Sequence, residues 1–244
     1  ILFRLVGSEM CIRDSYLATY LFAAIIQIIN FLILIFINIK KPIPSKKINR
    51  PLSDVLLQKN LIIAILAAAV GYSLMSFIMT ATPLQIVNVC KLGDSASATV
   101  IQWHVIAMFA PSFFTGTIIN SLGNRKVMMI GLLLYAFSFS FTIIGQTIEH
   151  FWIALFLCGL GWNFLYVGGS DIIAKSALPE ERAKVQGVTD FIIFVFVATG
   201  SFLAGALHST LGWEIMMFYT SIPIFILFMS IIIINPDGGI KARY

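Results

Sequence analysis

Residues 121–150 read SLGNRKVMMIGLLLYAFSFSFTIIGQTIEH. A tight turn carrying Arg125 and Lys126 opens into a run, 127–147, without a single charge, and Glu149 and His150 close it. The hydrocarbon core of a bilayer is about 30 Å thick and takes about 20 apolar helical residues to cross. This run is that long. Read outward, the pattern repeats: upstream at 16–39, 60–82 (ending at Pro83) and 98–119, downstream at 151–173, 188–208 and 213–235. The composition agrees, since 59% of the 244 residues are hydrophobic and 11% charged, whereas soluble domains carry about a quarter charged residues. The mean hydropathy is +0.95. The sequence predicts an all-α polytopic membrane protein, a transmembrane helix bundle of about seven spans with no soluble domain.

The connecting segments carry the topology. Of 16 Lys and Arg residues, all but Arg4, Arg13 and Lys91 fall in the segments 40–59, 124–126 and 175–184 or in the tail 236–244. Basic residues near span ends collect on the cytoplasmic side, so these segments and the C-terminus are expected to be cytoplasmic, in a cell membrane of the bacterial inner-membrane kind. The net charge of +5 is therefore a topogenic signal and not a nucleic-acid-binding face. Prolines at 42, 44 and 51 keep the long basic segment from being one helix. Cys11, Cys90 and Cys158 are odd in number and lack metal-ligand or CxxC spacing, so they read as ordinary residues. Residues 1–15, ILFRLVGSEMCIRDS, interrupt any span with Arg4, Glu9, Arg13 and Asp14. They read as a non-native leader, a translated adapter outside the fold.

Between the third and fourth spans the chain reads GTIINSLGNRK, residues 116–126. This resembles the loop motif of the major facilitator superfamily: Gly116, Gly123, Arg125 and Lys126 match, while Asn120 stands where the acid is expected and Ser121 where a base is. PEERAKVQG at 179–187 is similar to that superfamily's loop between helices 10 and 11. The resemblance implies that 16–39 is helix 6, that 40–59 is the cytoplasmic link between two halves, and that 60–235 is the six-helix C-terminal half. It implies a secondary carrier working by alternating access, with Gly116, Gly123, Arg125 and Lys126 as a gating loop. Its partners would be the lipid bilayer, a small solute with or without a coupled proton or ion, and a preceding N-terminal half holding helices 1–5.

Polar groups inside the bilayer have to face protein or water. The fifth span, CGLGWNFLYVGGSD at 158–171, puts Asn163, Tyr166 and Ser170 at i, i+3 and i+7, one polar stripe, among glycines that permit close helix approach. The third span offers Gln102 and His104, the latter on a face with Met108, Pro111 and Thr115, and Pro111 is an expected kink. The second offers Tyr72, Ser76 and Thr80, with Gln85 beyond Pro83. Asn163, Tyr166, Ser170, Gln102, His104 and Tyr72 are thus the candidate solute-binding residues. Asp171 and Asp190, at span edges, are expected to pair with Lys175, Arg182 or Lys184. The fourth and seventh spans are the most uniformly apolar, which suits peripheral helices.

HExxH and GxSxG are absent and no cofactor or nucleotide motif occurs, so an enzyme is not expected. A seven-helix receptor or another non-transport membrane protein is the alternative, although a retinal protein would need a Lys within 213–235, where there is none. The topology is testable with single cysteines at Ser45 and Ser95 in a background without native Cys. An impermeant thiol reagent on intact cells should label position 95 and spare 45; the reverse pattern overturns the orientation.

Overall fold

The computed structural model describes residues 2–37 and 51–237, with residues 2–16, 18 and 19 as backbone alone. The chain divides into two units, residues 1–46 and 47–244. The first holds one helix, α1 (Leu2–Phe36), whose apolar part is Tyr20–Phe36. No break in its backbone marks residue 15, so the boundary drawn from the charges of the leader has no counterpart in secondary structure. Most of the basic link (38–50) and the end of the tail (238–244) lie outside the described residues.

The second unit is all helix among its described elements: α2 (Leu52–Leu56), α3 (Lys59–Pro83, continuing as a π-helical turn over Leu84–Val89), α4 (Asp94–Phe109), α5 (Ser112–Leu122), α6 (Asn124–Ile144), α7 (Ile148–Ser176), α8 (Arg182–Leu211) and α9 (Trp213–Ile234). Among the described residues, five helices are long and apolar enough to cross a membrane, and α4 with α5, bent by 44° at their junction, brings the number to six where the pair is taken as one span. The expected kink at Pro111 is therefore a true break. Pro83, by contrast, does not end the second span as expected. It sits at helical φ −58 and ψ −39, forgoing one hydrogen bond. The helix then widens, with the Cys90 amide donating to the Gln85 carbonyl at 2.9 Å. Such wide turns recur at functional positions in helices.

Helices in lipid gain little from hydrophobic association and rely on close packing and interhelical hydrogen bonds. The α6–α7 pair shows the first. A Cβ on Gly131 would lie 3.0 Å from the Gly161 carbonyl oxygen, and one on Gly161 would lie 2.9 Å from that of Gly131. The second is shown by Tyr135, wholly buried, donating to the Gly71 carbonyl at 2.6 Å, and by Ser138 donating to that of Ala154 at 2.6 Å. At the end of the bundle away from the turn of Arg125 and Lys126, Trp213 Nε1 donates to the Thr142 carbonyl at 3.0 Å and fixes the start of α9. Helices α3 and α7 form the centre, with α8 leaning on α3, and α6 and α4 on α7.

At the turn between α5 and α6, Gly123 has φ +84, the left-handed region that glycine enters at no steric cost. The close α6–α7 seam makes a sharp prediction. Gly131→Val should destabilise the protein by about 1–3 kcal/mol, the usual cost of overpacking. Gly187→Ala, where a Cβ meets nothing within 4 Å, should be neutral or slightly stabilising, as helix propensity dictates. Thermal unfolding in detergent, followed by size-exclusion chromatography, reads both.

Candidate functional site

Three consecutive residues of α7 point to three different neighbours, because each step around a helix turns about 100°. Gly161 meets α6, as above. Asn163 meets the α4–α5 break, and Trp162 meets a group of aromatic rings.

Asn163 has no exposed surface. Its Nδ2 donates to the Met108 carbonyl at 2.7 Å and to Ser112 Oγ at 2.6 Å, and its Oδ1 accepts from Thr115 Oγ1 at 2.5 Å. Met108 lies in the last turn of α4, where its i+4 donor would be the Ser112 amide on the far side of the break at Pro111. The Asn163 side-chain amide thus closes on backbone and hydroxyls at the bend. Asn163, a candidate for solute contact in the sequence, has its polar capacity engaged within the protein in this structure.

His104 is likewise sealed, with Nδ1 2.7 Å from the Leu155 carbonyl. Against it, a Cβ at Gly159 would come within 2.6 Å of the His104 carbonyl oxygen. It is part of the α4–α7 contact and does not face an open cavity. Gln102 is exposed. The three polar residues of the expected stripe on α7 divide: Asn163 is buried at the bend, while Tyr166 and Ser170 are half-buried.

Tyr166 and Tyr72 do come together. The rings of Trp162 and Tyr166, one turn apart on α7, stack with centroids 5.0 Å apart and planes 8° from parallel. Tyr72 of α3 stands edge-on to both, at 5.3 Å and 5.5 Å. Phe109, the last residue of α4, is edge-on to Trp162 at 5.9 Å, and Phe194 of α8 lies 6.0 Å from Tyr72. Four helices, α3, α4, α7 and α8, each supply at least one ring. Trp162 is 5% exposed, whereas Phe109 and Phe194 are 57% and 56% exposed. The cluster is therefore rooted in the bundle and open at its rim. Edge-to-face and offset pairs of this kind contribute about 0.5–1.5 kcal/mol each beyond area burial. Trp162, Phe109 and Phe194 were not among the sequence candidates. The i, i+4 spacing of Trp162 and Tyr166 was legible, but in a chain with 21 Phe nothing singled out the other two.

At the end of the bundle where the basic segments lie, Lys175 pairs with Asp171 at 2.5 Å, as expected, and Asn124 Nδ2 donates to the same carboxylate at 2.8 Å. Asp190 departs from expectation: it accepts from Gln186 Nε2 at 2.7 Å, and no Lys or Arg among the described residues pairs with it. Within the motif loop, the Arg125 amide donates to Asp237 Oδ2 at 3.1 Å and Arg125 Nη2 to the Ile232 carbonyl at 2.9 Å. Gly116 and Lys126 are exposed. At the opposite end Gln85, buried, donates to Gln146 Oε1 at 2.7 Å and its Oε1 lies 2.9 Å from His208 Nε2, joining the end of α3, the α6–α7 connection and the last turn of α8.

The sequence matches the Major Facilitator Superfamily profile over residues 86–241, and the chain belongs to that family of multi-pass membrane transporters. It is 43% identical over 175 residues to the riboflavin transporter RfnT of Brucella anthropi, covering 72% of this chain and 44% of that protein. It is also 35% identical over 153 residues to YdeG of Bacillus subtilis, an uncharacterized transporter of the same family (61% of this chain, 35% of that one). The multidrug resistance protein MdtL of Shewanella oneidensis is 22% identical over 156 residues, 62% of this chain and 39% of that one. The chain spans less than half the length of the curated relatives it matches.

The bend makes its own prediction. Asn163→Ala takes the partner from the Met108 carbonyl and the Ser112 hydroxyl, while Thr115 keeps its bond to the Pro111 carbonyl, and should lower stability by about 0.6–2 kcal/mol, the scale of interhelical hydrogen bonds in membranes. Asn163→Leu should cost at least as much. Unchanged thermal unfolding in both variants would overturn the bracing role.

Proposed function

We propose that this chain is the C-terminal half of a secondary carrier that moves a flat heteroaromatic solute, riboflavin or a close relation, across the cell membrane by alternating access. The observation that carries the reading is the aromatic cluster of Tyr72, Phe109, Trp162, Tyr166 and Phe194, contributed by the four helices α3, α4, α7 and α8. A fused heteroaromatic ring is recognised by stacking and edge contacts, and apolar pockets with a few placed polar groups are the usual form of small-molecule sites. The 43% identity to a protein named as a riboflavin transporter supports the same solute class.

In this reading the half bundle supplies one wall of a central site, as carriers built from repeats place their solute between halves. The stack of Trp162 and Tyr166 is the platform, Tyr72 its edge, and Phe109 and Phe194 the rim. Asn163 acts indirectly, by holding the bend that sets Phe109 against Trp162. The loop of Gly116, Gly123, Arg125 and Lys126 lies at the cytoplasmic end and gates access there. The preceding half supplies the opposite wall. Whether a proton or ion accompanies the solute is decided by groups this half shares with that one.

The test is uptake of riboflavin by the full-length carrier in proteoliposomes. Tyr166→Ala should raise the half-saturating riboflavin concentration about 2- to 10-fold, the value of one or two ring contacts, with folding intact by size-exclusion. The 244-residue chain alone should insert and transport nothing, because its polar and aromatic wall has no counterpart. Absence of riboflavin binding and uptake by the unmutated full-length carrier would overturn the solute class. Robust uptake by the monomeric fragment would overturn the half-carrier reading.

A further inference from the structure

Asp190 has an unusual place. It lies eight residues into α8, about 12 Å along the helix at 1.5 Å per residue, and it is half-buried. An ionised side chain within a spanning segment is costly and ordinarily pairs with a cation. Asp190 pairs with none among the described residues, although Lys175 pairs with Asp171 nearby in sequence. One of its oxygens accepts from Gln186 Nε2 at 2.7 Å; Oδ2 has no partner among the described residues.

Its surroundings are those of the aromatic cluster. Gln186, Asp190 and Phe194 follow at i, i+4 and i+8, one face of α8, and Phe194 reaches Tyr72 of the cluster at 6.0 Å. Tyr166 feels the charge of Asp190 and has the hydroxyls of Ser170 and Tyr72 beside it. The platform therefore ends, toward the basic side of the protein, in a carboxylate, a carboxamide and a hydroxyl. An ionised carboxylate only accepts hydrogen bonds, so a solute group that binds it has to bring O–H or N–H donors.

We infer that Asp190, with Gln186 and Ser170, forms the hydrogen-bonding end of the solute site and selects aromatic solutes that carry a hydroxylated tail over the bare ring. The inference rests on the aromatic-platform reading above and adds a division of labour to it. The rings of α7 and α3 hold the flat part, and the first turns of α8 read the tail. Solute hydroxyls would then meet the acceptor capacity that Asp190 leaves open.

Riboflavin and lumiflavin separate the two ends, since they share the isoalloxazine ring and only the first has the polyhydroxyl tail. Binding to the purified full-length carrier is read by quenching of flavin fluorescence. Asp190→Leu should weaken riboflavin about tenfold or more, the worth of hydrogen bonds to a charged group, and lumiflavin by less than about twofold. Asp190→Asn, which preserves shape and one acceptor, should fall between and keeps the test valid where the leucine variant fails to fold. Equal weakening of both ligands, or of neither, overturns the assignment. So does an Asp190→Asn carrier whose riboflavin-to-lumiflavin ratio is unchanged while the pH dependence of uptake is lost, since Asp190 would then carry protons and not read the tail. If the unmutated carrier quenches neither flavin, the platform reading itself has failed, and the tail assignment falls with it. Quenching by both ligands with unaltered Asp190 variants sinks the tail assignment alone.

Discussion

A bilayer offers no water to a broken helix, so every backbone group freed by a break must find a partner inside the protein. Among the spans of this chain the sharpest such demand falls at Pro111, where α4 and α5 diverge by 44°. Asn163 meets it from α7 by bonding the Met108 carbonyl and two hydroxyls. The consequence reaches beyond the bond. With the bend held, Phe109 ends α4 against Trp162, and Trp162 is fixed in turn because Gly161 seats its neighbour turn against α6. The aromatic cluster is downstream of the bend and of the glycine seam on α7.

The motif loop shows the same economy at the end of the bundle. Its matched residues resemble a gating loop, yet the position where an acid belongs holds Asn120, which is exposed. The carboxylates near the loop come from elsewhere. Asp237 of the tail accepts from the Arg125 amide at the start of α6, where a negative charge favours the helix N-terminus. Arg125 in return donates to Ile232, in the last turn of α9, where a cation favours the C-terminus. Two helix ends cap each other crosswise. Gly123 belongs to that arrangement, since its left-handed φ turns the chain and a Cβ there would lie 2.8 Å from Asp237 Oδ2.

Five of the expected spans, the bent pair α4–α5 and the kink at Pro111 were legible because each follows from a single-residue or single-segment property: apolar length, or a missing amide. The first of the seven expected spans, 16–39, holds only the shorter apolar helix Tyr20–Phe36 among the described residues. The resemblance to the transporter superfamily was legible because it rests on contiguous residues at a turn. The site was legible only in part. Asn163 was singled out correctly as an unusual midspan polar residue, but its use depends on what α7 packs against, which periodicity does not contain. Asn163 and Tyr166 differ by about 60° around the helix, enough to send one to the α4–α5 bend and the other to the aromatic cluster. Asp190 was read as an ion-pair partner because Arg182 and Lys184 are close in sequence. In the helix Arg182 lies two turns away, about 12 Å along the axis, and Lys184 lies on another face, so Gln186, one turn away, is what it meets. Pro83 misled for a related reason, since a proline near a helix end can be absorbed where a wider turn follows.

The distribution of burial gives the helices of the aromatic cluster different surroundings. In α3 and α7, 67% and 61% of the spanning window is buried, against 17% in α8. Tyr72, Trp162 and Tyr166 therefore sit on helices held by glycine contacts and by the Tyr135–Gly71 bond. Helix α8 is held to α3 as closely. Ser73 donates to the Phe196 carbonyl at 2.9 Å, Ser76 lies 2.5 Å from Ser201, and a Cβ on Gly200 would lie 2.8 Å from the Ser73 carbonyl oxygen. What sets α8 apart is exposure and not looseness. An exposed face on a spanning helix has to meet lipid or protein, and Asp190 lies on that exposed helix while the stacked rings stay on the buried ones.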